Sequence, residues 1–255
     1  MATSGRAALA LYDVSKLFGA LRAVDKVSMS IEPGERRAVI GPNGAGKTTL
    51  FHVVSGVLPA THGRIEMFGT DVTHMATHRR IAHGMARTFQ ITNLFRNLTV
   101  QHNIVLALQG LETGTKMTMF RPLSSYKQLL KRADQLLAEW RLGERRDALV
   151  TELSYGEQRA MEIMLAVCQK PRLLLLDEPT AGLSPAETVA AAEIIRGLPR
   201  DMAMLLIEHD MDVVFDLCDT MTVLHLGEVL ASGDPAAVRG NPQVQEIYLG
   251  ESLEV

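Results

Sequence analysis

Cysteine is almost missing from this chain: Cys168 and Cys218 are the only two in 255 residues. Both fall inside apolar, helically spaced stretches without metal-ligand spacing. A disulfide framework and a cysteine-built metal site are therefore excluded, and both read as reduced packing residues. Long hydrophobic runs are missing too. Leu173 to Leu176 and Met202 to Ile207 are strand length, far short of the ~20 residues needed to cross a bilayer. No block of one charge stands out, since 26 basic and 29 acidic residues are mixed along the chain for a net charge of −3. Neither a nucleic-acid surface nor an acidic tail is expected. The opening Met1-Ala2-Thr3-Ser4-Gly5-Arg6 has none of the apolar stretch, about 7–15 residues, of a secretory leader. The expectation is a soluble cytoplasmic protein that reaches any membrane role through a partner. A chain of this length buries roughly 70–75% of its unfolded surface, so it needs no metal or disulfide staple.

Against these absences stands one dense motif. Gly41-Pro42-Asn43-Gly44-Ala45-Gly46-Lys47-Thr48-Thr49 matches G-x-x-x-x-G-K-[ST]. Arg37 to Ile40 before it suits a buried strand, and Thr48 to Val54 after it reads as a helix ending near Gly56. Glycines at 41, 44 and 46 let the backbone curl until several N–H groups point at one spot. The helix start adds about 0.3–1 kcal/mol toward an exposed anion. Lys47 supplies a full positive charge to terminal phosphates, and Thr48 can place a hydroxyl on Mg²⁺. This is a nucleotide phosphate cradle.

Taken in order, residues 9–31 alternate as strands do, with Val27, Met29 and Ile31 on one face. Phe18 is either an ordinary core or surface aromatic or a ring able to stack on a base. Arg64 to Phe68 reads as a strand, Thr77 to Ala86 as a helix, and Arg87-Thr88-Phe89-Gln90 as strand-like; Gln90 alone is an unremarkable loop amide. From Asn97 to Lys170 long helical patterns take over, interrupted by an aperiodic stretch from Gly110 to Ser125. Ser154 and Glu157 have capping-box spacing, so Ser154 starts a helix; with Gly156 permitting close approach, that helix start is an ordinary cap or a second anion site. Leu173 to Leu176, apolar at every position, suits a central parallel strand, and Asp177 and Glu178 lie at its carboxyl end, where ligands collect in such sheets. There Asp177 would hold Mg²⁺ and Glu178 would orient and deprotonate a water. Ser184, Pro185 and Glu187 carry every signal of a helix start. His209 follows the buried strand Met204 to Ile207 and is by itself an incidental loop residue.

Read together, these pieces resemble the ATP-binding-cassette family of transport ATPases over nearly the whole chain. Gly41 to Thr48 looks like Walker A, and Leu173 to Asp177 with Glu178 looks like Walker B and its catalytic glutamate. Leu153 to Glu157 is similar to the family signature, with Tyr155 in place of the usual Gly and Glu157 in place of Gln. Gln90 resembles the Q-loop glutamine, His209 the switch histidine, Ala181 to Ser184 the D-loop, and Phe18 the aromatic that stacks adenine. Ser184 stands where Asp is usual. Arg87 to Gln90, Leu153 to Gln158, Glu208 to Met211 and the ending Tyr248-Leu249-Gly250 look most like the ATPase subunits of branched-chain amino acid importers, the larger of the two paired subunits.

The resemblance implies an α/β fold: a P-loop NTPase (RecA-like) core with an N-terminal antiparallel β-subdomain and an inserted α-helical subdomain. It implies a single cassette over 1–255, with the core and β-subdomain in 1–95 and 171–255 and the helical subdomain in 96–170. It further implies ATP and Mg²⁺, the latter on Thr48, Gln90 and Asp177, with Glu178, His209 and Gln90 as catalytic groups. A second ATPase subunit, identical or paralogous, would dock head to tail so that Ser154 and Gly156 reach the γ-phosphate held by its partner's loop. Two transmembrane permease subunits, and through them a solute-binding protein, would complete the importer, with this chain peripheral on the inner face of the membrane. The other expectation the motifs allow is a soluble assembly or remodelling ATPase with no permease.

Overall fold

The computed structural model describes residues 6–88, 94–111 and 126–251. Gln90, Phe89 and most of the aperiodic stretch expected between Gly110 and Ser125 lie outside the described residues. Two sheets organise the rest. An antiparallel sheet of four strands runs in the order β2-β1-β4-β5, from β1 (Leu9–Phe18), β2 (Leu21–Ile31), β4 (His62–Met67) and β5 (Thr70–Asp71). A second sheet of six strands runs in the order β10-β9-β3-β8-β7-β6, from β3 (Arg36–Ile40), β6 (Met85–Arg87), β7 (Leu173–Asp177), β8 (Ala203–Ile207), β9 (Thr220–His225) and β10 (Glu228–Gly233). Within it β3, β6, β7, β8 and β9 are parallel, and β10 returns as a hairpin on β9. β7 and β8 are buried at every position. That explains their unbroken apolar composition, because helices cover both faces of a parallel sheet.

Helix α1 (Lys47–Ser55) follows β3 and packs into the core cluster formed by the two sheets, which includes Leu50, Phe51, Val53 and Val54. On the other face Ile163, Ala192, Ile195, Val214 and Leu217 form a second cluster, carried by α5 (Tyr155–Val167), α6 (Pro185–Arg196) and α7 (Met211–Leu217). A third cluster joins α3 (Val100–Leu111) and α4 (Lys127–Glu139) to α5 through Ile104, Val105, Ala133, Leu137, Met161 and Met164. This helical body is inserted between β6 and β7. The molecule is thus a P-loop NTPase core with an antiparallel β-subdomain and an inserted helical subdomain. Short helices α8 (Pro235–Arg239) and α9 (Pro242–Glu251) close the described residues.

One segment departs from its sequence pattern. The helix expected over 77–86 stops earlier, as α2 (Thr77–Ala82). Gly84 takes φ 109°, a left-handed conformation that ends the helix, and its carbonyl accepts from the N–H groups of Arg172 and Leu173 at 2.8 and 3.1 Å. Met85 to Arg87 then pair in parallel with Leu173 to Leu175 as the edge strand β6. Apolar spacing through Ile81 and Met85 imitates a helix that the glycine forbids.

Candidate active site

Three parallel strands deliver the predicted residues to one edge of the large sheet. β3 ends at the loop 41–46, β7 ends at Asp177 and Glu178, and β8 leads through Glu208 to His209. The glycines of the loop are held by their surroundings as well as by their dihedrals. Gly41 has φ 148° and a Cβ there would stand 2.2 Å from the Leu224 carbonyl oxygen. Gly46 has φ 101°, and its Cβ would stand 2.2 Å from the Ala23 oxygen on β2. The Gly227 N–H, between β9 and β10, donates to the Ala45 oxygen at 3.0 Å. The loop is therefore laced between the small sheet and the β9–β10 hairpin, and only residues without a Cβ allow that approach.

Lys47 is buried, and its Nζ donates to the carbonyls of Gly41 at 2.5 Å and Pro42 at 2.8 Å. A cavity of about 470 Å³ opens above the loop, lined by Asn43 to Thr49, by Glu178, and by Phe18, Leu21, Arg22, Ala23 and Leu226. Its lining joins the polar loop and Glu178 to the apolar Phe18, Leu21, Ala23 and Leu226, with Arg22 among them. Phe18 is 46% exposed and Leu226 76% exposed, and the Lys16 ammonium stands 5.1 Å from the Phe18 ring centroid. Phosphate below and a planar base above is the ligand chemistry such a cavity fits.

Asp177 is only 3% exposed, and its Oδ1 accepts no hydrogen bond among the described residues. Burial pushes its carboxyl up to about 6; the neighbouring Glu178 adds to the rise, while Arg159 and Arg87 oppose it. Glu178 holds φ 44°, left-handed for a residue with a side chain, a conformation that persists only where neighbours enforce it. His209 has a side chain 62% exposed and lines neither this cavity nor the one described next. Its N–H donates to Glu208 Oε2 at 3.1 Å.

Ser154 and Gly156 lie elsewhere. Ser154 caps α5, with its hydroxyl accepting from the Glu157 N–H and the Glu157 carboxylate accepting from the Ser154 N–H at 2.8 Å. Both line a separate cavity of about 770 Å³ among α4, α5 and α6, which shares no residue with the first. In this chain Gly156 donates to Glu187 Oε1 at 3.1 Å.

The family model for the ABC transporter matches residues 24–181. The chain belongs to the ABC transporter family. A second model, the branched-chain amino acid ATP-binding cassette transporter, matches residues 228–254 of the cassette. The cassette is 36% identical over 241 residues to the high-affinity branched-chain amino acid transport ATP-binding protein BraF of Pseudomonas aeruginosa, covering 92% of this chain and 94% of that one. It is 39% identical over 243 residues to LivG of Escherichia coli, of the same description, with 92% and 94% covered. Among solved structures it superposes on a nucleotide-free ATP-binding cassette from an ABC transporter with a TM-score of 0.82 at 28% identity, covering 95% and 98% of the two chains. For an ABC cassette in its ADP conformation the values are 0.82 and 29%, with 96% and 99% covered. The cassette is an ATPase of this family.

Two groups of this region were not singled out from sequence. Leu21 and Leu226 give no pattern, because a lone leucine beside a turn looks like any other. Glu208 is fully buried, and its Oε1 accepts from the Thr180 N–H at 2.9 Å and hydroxyl at 2.6 Å. It thereby ties the segment after β7 to the one after β8. A carboxylate ending a buried strand, as Asp177 does, was the available signal.

Proposed function

We propose that this cassette is the ATP-hydrolysing motor of an importer for branched-chain or other small hydrophobic amino acids. One observation carries the hydrolytic reading: a single cavity is lined by the loop 43–49, Phe18 and Glu178 together. The transported class is supported by the match of residues 228–254 and by the names of BraF and LivG.

In this reading the adenine of ATP stacks on Phe18, and the N–H groups of the loop from Gly41 through Thr49 surround the phosphates. Lys47 exchanges the Gly41 and Pro42 carbonyls for the β- and γ-phosphate oxygens, a charge-assisted contact stronger than a neutral one. Thr48, in the first turn of α1, and Asp177, with a buried oxygen unpartnered among the described residues, fit a Mg²⁺ ion; the family resemblance adds Gln90, which lies outside the described residues. Bound there, the ion would offset charge on the β- and γ-phosphates. Glu178 takes a proton from water as the water oxygen attacks the γ-phosphorus and the bond to the bridging oxygen breaks, releasing ADP and phosphate; His209 contacts the γ-phosphate once a partner closes over it. Ser154 and Gly156 serve the partner's nucleotide, in keeping with their distance from this chain's own cradle in separate cavities. The working assembly is two ATPase subunits, identical or paralogous, on two permease subunits at the inner face of the membrane.

Affinity capture of the tagged cassette from detergent-solubilised membranes tests the assembly. Recovery of two polytopic subunits with it is the expected result; recovery of soluble partners only would exclude an importer.

A further inference from the structure

Arg159 stands in the second turn of α5, the helix that Ser154 opens, and is 8% exposed. Its Nη2 donates to the Asp177 carbonyl at 2.8 Å and its Nε to the Pro179 carbonyl at 3.0 Å. Its Nη1 donates to Glu162 Oε2 at 2.7 Å. Asp177 and Pro179 are the residues on either side of Glu178. One planar guanidinium thus grips the chain just before and just after the residue that holds φ 44°, while the Glu178 N–H donates to the Ile207 carbonyl on β8 at 2.9 Å. A left-handed side-chain-bearing residue needs such over-determination. Only a rigid fork can hold the carbonyls on both sides of it at once, since an ammonium is a point donor; the Ala181 N–H adds a bond to the Glu178 carbonyl at 3.1 Å.

We infer that Arg159 is a positioning residue for Glu178, fixing the carboxylate's backbone and conveying to it the placement of α5. The inference rests on the reading of Glu178 as the base. Its consequence is mechanical: α5 carries at its start the residues proposed to meet a partner's nucleotide, and five residues later the side chain that sets Glu178. Engagement at the helix start and alignment of the base are then one rigid-body event.

Glu162 is buried and burial raises its carboxyl pKa, so it is made neutral in the test to avoid leaving a bare charge behind. Steady-state ATP hydrolysis and MgATP calorimetry compare R159M/E162Q with E162Q, alongside R159K. The expected result is a kcat lower by about 10- to 100-fold in R159M/E162Q, with KM and Kd within about threefold and an intermediate loss in R159K. Adding E178Q to R159M/E162Q should cost nothing beyond E178Q alone, since groups acting as a unit are non-additive. A kcat in folded R159M/E162Q within twofold of E162Q, a wild-type kcat in R159K, or multiplying losses would each overturn the inference. Wild-type turnover in E178Q alone would instead remove the base itself, and this inference with it. An inactive E178Q beside an unimpaired R159M/E162Q would remove the role of Arg159 only.

Discussion

Asp177 shows at the scale of one residue what burying a carboxylate costs. Its carboxyl is raised from an ordinary 3.8 to about 6, chiefly by burial. The folded protein therefore holds a proton that the unfolded chain releases between about pH 4 and 6. Stability falls as pH rises through that window, and the cost is fully present above it. Asp177→Asn removes the charge and keeps the shape. In nucleotide- and metal-free protein it should raise Tm by a few degrees at pH 7.5, with the gain shrinking at pH 4.5, while MgATP-dependent turnover is lost; equal Tm differences at both pH values would contradict this origin of the shift. Residues of this kind were legible because they are contiguous with a pattern. Four leucines followed by two acids announce a strand end, and the loop 41–49 announces itself by spacing. The reach of Arg159 to Glu178 was not legible, because it runs through main-chain carbonyls 18 and 20 residues away, and carbonyls have no sequence signature.

Elements succeed or fail here at their ends. Ser154, Ser184, Asp210 and Asp234 each cap a helix through a side-chain oxygen, and the first two close full capping boxes that were readable from spacing. The distal end of α1 is finished differently. Arg80, fully buried, donates from Nη1 to the carbonyls of Val53 and Val54 at 2.9 and 2.6 Å, from Nε to Met75 at 2.9 Å and from Nη2 to Thr73 at 3.1 Å. Burial pulls its pKa down to about 10, so it stays a cation at the negative end of the helix that begins at Lys47. Arg36 does the same for α6, reaching the carbonyls of Arg196 and Leu198. Arg80→Met would strand several buried carbonyls and should lower the stability by at least about 3 kcal/mol, read as a lower urea midpoint with an unchanged m-value. A loss below about 1 kcal/mol would mean that water replaces the guanidinium. The sequence offered no hint of either arginine's burial, since charged residues in amphipathic segments read as solvated. The early stop of α2 was missed for a related reason: β6 exists only because β7 is there to pair with it.

At the scale of the whole molecule, the cradle and the start of α5 open into separate cavities of one chain. In the proposed head-to-tail dimer each protomer would offer half of each site, and a triphosphate would complete two protomers at once, a differential affinity that ATP supplies and its cleavage withdraws. Ser154→Ala should weaken ATP-driven association by about tenfold or more, the equivalent of losing one hydrogen bond to a charged group. Multi-angle light scattering of the ATPase with its ATPase partner reads this directly. Undiminished association would return Ser154 to the role of a plain helix cap.

The general-base role of Glu178 is read most plainly from single-turnover hydrolysis and MgATP calorimetry on Glu178→Gln. It predicts a Kd close to that of the unaltered protein with hydrolysis slower by roughly 10²–10⁴-fold, the range for loss of a general base. Turnover at the unaltered rate, with ATP bound as tightly as before, would contradict it.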